Sequence, residues 1–307
     1  MPNFIWSKKL QGILNLDLSR EIRFRDDKKD LFIKTLGLKP EMTIVDIGCG
    51  PGAITRKLAI WLGEGTKVIG VDRDTNFIEY AKEKAKKLDI KNIKYIEGDA
   101  LSLPLEHNSV DACISHTVIE HIPNKEFLLE QKRICKDGGI VSVMYCRPDK
   151  YIKAKSPHTP KITKREYELW EKLNKDSEDI DKKYKVGEYW PKEYELPSLF
   201  DELGFIEVKV DAFAIPVSID DARNSSEEKV RLIEIEKKQL LENLNLNLEL
   251  NKNNITDREI YELNNLIEER FLERLHLLRK GKKLWDYTIV MVQVVSGVVK
   301  KGYNDKS

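Results

Sequence analysis

The chain has 307 residues, enough for one large core or two small ones. Its 53 Lys and Arg balance 52 Asp and Glu to a formal net charge of +1, which argues against broad electrostatic capture of nucleic acid. The N-terminal MPNFIWSKKL lacks the apolar run of a signal peptide, the longest apolar stretch (Thr288 to Val299) is too short to span a bilayer, and Cys49, Cys113, Cys135 and Cys146 show no CxxC spacing. These features predict a cytoplasmic protein with no membrane association, no disulfide framework and no metal site.

In chain order, residues 1–40 read as a helical segment that Gly37 and Pro40 bring to a stop. A regular alternation follows. Strands are predicted over Thr43 to Ile47, Lys67 to Asp72, Ile93 to Glu97, Val110 to Ser115 and Gly139 to Cys146. Helices are predicted between them over Ala53 to Leu62, Thr75 to Leu88 and Asn124 to Cys135. This rhythm implies βαβ units and a parallel sheet with helices on both faces. After Cys146 the rhythm breaks into a charged, Tyr-rich stretch with a helix from Lys164, where Thr163 and Glu166 have capping-box spacing. A short helix stops at Gly204, and Phe205 to Phe213 alternates as a strand does.

A second interruption runs from Pro216 to Lys283. Thr256 and Glu259 open a helix whose Ile260, Leu263, Ile267, Phe271, Leu275 and Leu278 form one apolar stripe, closed by Gly281. Leu244, Leu246, Leu248 and Leu250 alternate, and residues 243–252 fit either strand or helix. Asp286 to Val295 is the last strand. The layout expected is an α/β, Rossmann-like, seven-stranded, mostly parallel core over 41–215 and 285–300. Helical insertions at 147–195 and 216–284, with the N-terminal segment 1–40, form a lid.

The most informative stretch is IVDIGCGPG, Ile44 to Gly52. A strand runs into alternating Gly48, Gly50 and Gly52 and then into a helix. Glycine permits positive φ and close ligand approach, and the helix N-terminus supplies free N–H groups. Gly48, Gly50 and Ala53 also satisfy GxGxxA, with Asp72 near the place of a ribose-binding acid, so a dinucleotide-binding reading competes. Asp46 inside the strand, the third glycine, and Gly98-Asp99-Ala100 after the third strand shift the balance.

Together these motifs resemble the class I S-adenosylmethionine-dependent methyltransferases. VDIGCGPG looks like their first motif, GVD ending at Asp72 their second, and GDALSLP (Gly98 to Pro104) their adenine-binding motif. VDACISHTVIEHIPN (Val110 to Asn124) resembles the fourth-strand motif and KDGGIV (Lys136 to Val141) the turn into the fifth strand. The resemblance covers Leu38 to Tyr145 and reappears at Leu196 to Phe205.

It implies S-adenosyl-L-methionine as cofactor, held by Asp46, Gly48, Cys49, Gly50, Gly52, Asp72, Arg73, Asp99, Ala100, Leu101 and His116. Asp46 would orient the glycine loop or accept from the cofactor ammonium. Asp72 would accept from the ribose hydroxyls, Asp99 from the adenine amino group, and Ala100 N–H would donate to the ring. Asp72 as a helix cap and Asp99 as an Asx turn are the structural rivals. Arg20, Arg23 and Arg25 either meet the cofactor carboxylate or form an exposed face. No catalytic constellation stands out; His116 and Tyr145 are the candidate bases, while His121 reads as structural. The expected activity is methylation of a small molecule, with a methyltransferase acting on protein or RNA and a non-catalytic cofactor-binding partner protein as the alternatives; Tyr151, Tyr167, Trp170, Tyr184, Tyr189 and Trp190 in the lid suit a planar or apolar acceptor. SHTV in place of an NPPY-type sequence argues against exocyclic-amine methylation of a nucleic-acid base. Monomer and homodimer both remain open.

Overall fold

The computed structural model describes residues 6–175, 180–192 and 194–302. Residues 1–5 of the expected helical N-terminus lie outside the described residues, as do 176–179 and 193 of the first insertion. Strands β1 (Thr43–Ile47), β2 (Lys67–Asp72), β3 (Ile93–Glu97), β4 (Val110–His116) and β5 (Cys135–Cys146) pair in parallel in the order β3-β2-β1-β4-β5. Strand β6 (Ile152–Ala154) is a three-residue piece. Strands β7 (Ile206–Ser218) and β8 (Tyr287–Val298) complete the sheet, with β8 antiparallel to its neighbours β5, β6 and β7. The sequence predicts seven strands; the eighth is β6, which pairs with Tyr287 to Ile289 while β5 occupies Val292 to Val298 of the same β8 edge.

The central strands are short apolar runs because both faces are covered. Successive residues alternate between two cores. Ile44, Ile114 and Met144 join one cluster with Leu58 of α3 (Ala53–Leu62), Phe32 of α2 (Lys29–Thr35) and Phe213. Val45, Cys113 and Val143 join the other with Phe127 of α5 (Asn124–Ile134) and Phe200 of α8 (Glu195–Glu202). Helix α4 (Thr75–Lys87) is capped by Asp74, whose side chain accepts from Asn76 N–H. A π-helical turn, Trp6–Leu10, and α1 (Ile13–Arg23) precede the sheet.

The two interruptions carry α6 (Lys164–Leu173) with α7 (Ile180–Tyr184), and α9 (Ser226–Asn251) with α10 (Asp257–Arg279). Residues 243–251 are helical. Leu244 and Leu248 pack into the insertion cluster, whereas Leu246 shares a small hollow with Ser7 and Gly12. A helix buried on two sides mimics alternation. The α10 stripe is covered within the chain: Leu263, Ile267, Phe271 and Leu275 cluster with Leu169 and Leu173 of α6 and Leu232 and Ile233 of α9. The Thr256 capping box forms, and so does one at Ser225 and Glu228. At α6 only Thr163 caps, because the buried Glu166 carboxylate takes Arg270 at 2.8 and 3.1 Å instead. Among the described residues no helix is long and apolar enough to cross a membrane.

Candidate functional site

The glycine turn leaves β1 and is fastened to β2: Gly48 and Cys49 N–H both donate to the Val71 carbonyl, at 2.8 and 3.0 Å. Gly48 has φ 67° and Gly52 φ 80°. A Cβ at Gly48 would sit 2.3 Å from Val118 Cγ2, and one at Gly52 2.4 Å from Tyr95 Oη. Conformation and space therefore both require glycine at these positions. Gly52 is the N-cap of α3 and offers no side-chain cap, so the first N–H groups of α3 keep their partial positive charge at the turn.

Above the C-terminal ends of the central strands lies a cavity of about 290 Å³. Nine of the eleven expected site residues line it: Asp46, Gly48, Cys49, Gly50, Asp72, Arg73, Asp99, Ala100 and His116. Gly52 and Leu101 are not on its wall. Gly52 serves the turn into α3, and Leu101 acts through its N–H, which donates to Asp99 Oδ1 at 2.8 Å. Tyr145 is a correction of a different kind. It is buried in the cluster of Val143, Leu196 and Phe200, on the sheet face opposite Met144, and does not reach the cavity.

Three carboxylates face the cavity from three strand ends. Asp72 accepts Gly50 N–H through Oδ2 (2.8 Å) and Asp74 N–H through Oδ1 (2.9 Å). The helix cap is Asp74, so Asp72 braces the glycine turn and each of its oxygens retains a lone pair. Asp46 accepts from the Thr55 hydroxyl at 2.6 Å. Burial pushes Asp46 up to about 7, with Asp72 adding to the effect, and pushes Asp72 up to about 6. Asp99 forms its Asx turn with Leu101 through Oδ1, and its Oδ2 has no hydrogen-bond partner among the described residues.

The opposite end of the cavity is walled by α1 and the segment after β4. Arg20 donates to Ser19 Oγ (3.1 Å) and Thr117 Oγ1 (3.2 Å), and Thr117 lines the wall beside His116. Arg23 is not on the wall, and Arg25 bonds Asp27 and Asn224. His116 contacts the Cys146 thiol at 3.7 Å and Thr117 Oγ1 at 3.4 Å, and burial together with Arg20 and Arg23 keeps its imidazole neutral. His121 also lines the cavity. Its Nδ1 accepts Gly187 N–H at 3.0 Å, so its proton is on Nε2, and its ring tilts against Trp6 at 4.7 Å. Burial, reinforced by Arg73, lowers His121 to about 4.

Helix α1 is fastened from its other side. The fully buried Asp17 carboxylate receives Arg56 of α3, Tyr80 Oη (2.9 Å) and Lys84 Nζ (3.1 Å) of α4. None of the six aromatic residues expected to serve an acceptor lines the cavity; Trp170 packs against the insertion cluster and Tyr167 is exposed. The aromatic wall is instead Trp6 and Phe77, with Val186 supplied by the first insertion. Sequence reasoning missed Trp6, Leu16, Phe77 and Thr117; apart from the Arg20, Arg23, Arg25 group, nothing local marks the N-terminal segment as cavity wall. Among the described residues no group of three or more His, Cys, Asp or Glu is placed to hold a metal ion.

A family model described as a methyltransferase domain matches residues 38–197. The chain is 29% identical over 219 residues to the demethylmenaquinone methyltransferases of Staphylococcus aureus strains JH9 and Newman, covering 67% of this chain and 84% of the relative. In fold it is similar to phosphoethanolamine N-methyltransferase 2 of Haemonchus contortus solved with S-adenosyl-L-methionine. The TM-score is 0.53 at 19% identity, over 94% of this chain and 57% of that one.

Proposed function

Since the chain belongs to the methyltransferase-domain family, as a class I S-adenosylmethionine-dependent enzyme, we propose that it methylates a small-molecule acceptor by in-line displacement. The observation that carries this reading is the cavity that joins the glycine turn to Asp46, Asp72 and Asp99. Its donor and acceptor set fits S-adenosylmethionine. Asp72 has lone pairs for two ribose hydroxyls, Asp99 Oδ2 accepts from an adenine amino group, and Ala100 N–H serves the ring. Asp46 faces the ammonium beside a cradle that a Cβ at Gly48 would fill.

When bound, the cofactor supplies an electrophilic methyl group on a cationic sulfur. The residues of this chain bind, align and exclude water. Alignment of nucleophile and leaving group supplies much of the rate in such a displacement, so no dedicated base is required. His116 is neutral and engaged with Cys146, and the proton of His121 faces away from Gly187; both act as walls and hydrogen-bonding groups. The N-terminal segment and Val186 support a lid on the acceptor side. Helix α9 steadies that lid, since Glu242 accepts from Gly12 N–H at 3.3 Å and Asn15 Nδ2 at 2.7 Å. Likeness to demethylmenaquinone methyltransferases supports a quinol-like acceptor, and the near-neutral charge supports a small molecule over nucleic acid.

The test has two stages. Calorimetry is expected to give saturable binding of S-adenosylhomocysteine and none of NAD. Methyl-labelled S-adenosylmethionine is then supplied with a short-chain demethylmenaquinone held reduced, with bulk RNA, and with cell protein. Label entering RNA or protein alone sinks the small-molecule reading.

A further inference from the structure

The near-zero net charge of the chain is unevenly spread. Residues 147–165 carry seven Lys and Arg against Asp149 alone, and residues 279–287 carry four against Asp286 alone. The fold brings these two distant runs together. Strand β6 pairs Ile152 with Ile289 and Ala154 with Tyr287. Ser156 N–H donates to Asp286 Oδ1 at 2.7 Å, and Thr159 Oγ1 reaches both Asp286 oxygens at 2.7 Å. The acids at this junction are turned inward: Asp220 and Asp286 stand 3.9 and 3.6 Å from the buried Arg274. Among the described residues Lys153, Lys282 and Lys283 are exposed and form no ion pair.

Large apolar side chains stand exposed at the same place: Trp285 at 54%, Ile152 at 55% and Tyr287 at 39%. Single exposed apolar residues are ordinary, but a group of them rimmed by lysines is not. Trp285 has φ 59°, and a bulky residue persists in the left-handed region only where its surroundings over-determine it. Here Leu284 and Trp285 N–H both donate to the buried Asp220 Oδ2, at 2.8 and 3.0 Å. The turn sends Leu284 into the core and Trp285 outward, where Lys283 Nζ stands 5.7 Å from its ring centre. Ile152 and Tyr287 project from one sheet face, because paired and alternate residues share a side. Among the described residues β6 pairs with β8 alone, so nothing covers its outer edge.

This rim lies at the cavity's end of the sheet. Strand β6 follows the C-terminal end of β5, and Tyr287 opens β8, which runs antiparallel to β5. The first insertion leads from the rim to the cavity: Arg147 stands 5.6 Å over the Trp190 ring, and Val186 lines the cavity wall. Aromatic rings among lysines suit the boundary between water and lipid, where the rings enter the headgroup layer and the ammonium groups meet phosphates. A nucleic acid would use the same charges, but an exposed isoleucine gains from hydrocarbon and not from a phosphate backbone. We propose that Ile152, Trp285 and Tyr287, with Lys153, Lys282 and Lys283, dock the protein on the surface of an anionic lipid bilayer, with the cavity's end of the sheet towards it. The contact is peripheral and needs no spanning helix. It revises the expectation of no membrane association, which rested on the lack of an apolar span. Its consequence, that an apolar acceptor is drawn from the bilayer, rests on the small-molecule reading above; the docking itself does not.

Flotation of the full chain with lipid vesicles tests the docking without methyl transfer, so its failure is separate from failure of the acceptor reading. Wild type is expected to bind vesicles of an equal mixture of phosphatidylcholine and phosphatidylglycerol, to bind pure phosphatidylcholine at least about tenfold more weakly, and to be released by raised salt. Lys153→Gln combined with Lys283→Gln is expected to weaken binding to the mixed vesicles about 25-fold, about fivefold for each lysine. Trp285→Gly, which suits the left-handed backbone, is expected to weaken it about tenfold. Lys87→Gln with Lys91→Gln, beside β3 at the far edge of the sheet, should leave it within about twofold. Calorimetry with S-adenosylhomocysteine checks that each variant is folded; should Trp285→Gly lose that binding, Ile152→Ser takes its place. No binding to mixed vesicles, equal binding to both compositions, or equal losses in the rim and far-edge variants overturn the inference. Binding of bulk RNA in place of vesicles overturns it in favour of a nucleic-acid surface.

Discussion

The two ends of the cavity are built in different ways. At the end proposed to take the adenosine, Asp72 and Asp99 already have main-chain partners, Gly50 and Asp74 N–H for the first and Leu101 N–H for the second. The sheet makes that end, and it is formed before any ligand arrives. At the opposite end the wall is α1 leaning over the strand ends, with Arg20 short of a counter-ion and Thr117 strained at φ 56°. The difference teaches that one half of the site is scaffold and the other half is a docked segment, so the two should fail separately.

The largest expected effect tests the docking. Asp17→Ala removes the carboxylate that draws Arg56, Tyr80 and Lys84 to α1 and leaves Arg56, 2% exposed, with Glu21 and the Pro51 carbonyl. Breaking such a buried pair is expected to cost about 3 kcal/mol of stability, read by denaturant unfolding. In the folded variant S-adenosylhomocysteine should weaken more than 5′-methylthioadenosine, which keeps the adenosine and sulfur but lacks the carboxylate. Equal weakening would show that α1 is part of one rigid site.

Asp72→Ala strikes the scaffold half. Loss of a charged acceptor is expected to lower affinity for both ligands by about 1.5–3 kcal/mol. The carboxylate also braces Gly50 and Asp74 N–H, so the ligand-free unfolding midpoint should fall too. Unchanged affinity in a folded Asp72→Ala protein would reduce Asp72 to a brace.

The pH dependence follows from Asp46 and Asp72, which burial raises to about 7 and about 6. Both values lie above those of the unfolded chain, so the folded state binds more protons between about pH 4 and 7. Their contribution to ligand-free stability is therefore full below about pH 4 and is lost as pH rises through 6 to 7. A bound ammonium and ribose hydroxyls favour the charged carboxylates, so binding releases protons. S-adenosylhomocysteine affinity should rise by up to about tenfold from pH 6 to 8. Asp46→Asn should flatten most of that slope, and an affinity independent of pH in wild type would place Asp46 away from the ammonium.

The smallest effect is at Asp99. Because its Oδ1 already serves Leu101, Asp99→Ala is expected to cost about 0.5–1.5 kcal/mol of affinity, and the loss should be the same for both adenosine-containing ligands. A loss confined to S-adenosylhomocysteine would invert the assignment of the two ends.

Much of the scaffold half was legible in the sequence because its signals are local. The alternation of strands and helices, the three glycines after Ile47, and acids at successive strand ends determined the α/β sheet and the place of the cavity, since strand order and parallel pairing bring those ends together. Strand period, glycine stereochemistry and helix capping each act over a few residues. The rest was decided by tertiary structure. Gly52 and Leu101 belong to the motifs yet act behind the wall, and Tyr145 faces the other core because it lies one residue out of phase with Met144. Arg20 is picked out from Arg23 and Arg25 only by how α1 lies across the strand ends, and that lie is set by Asp17 meeting side chains 39 to 67 residues away. Leu244 and Leu246 look like alternating strand residues until α10 and the N-terminal segment cover α9 from two sides. Contacts between segments far apart in the chain leave no local pattern, which is why only the folded arrangement decided them.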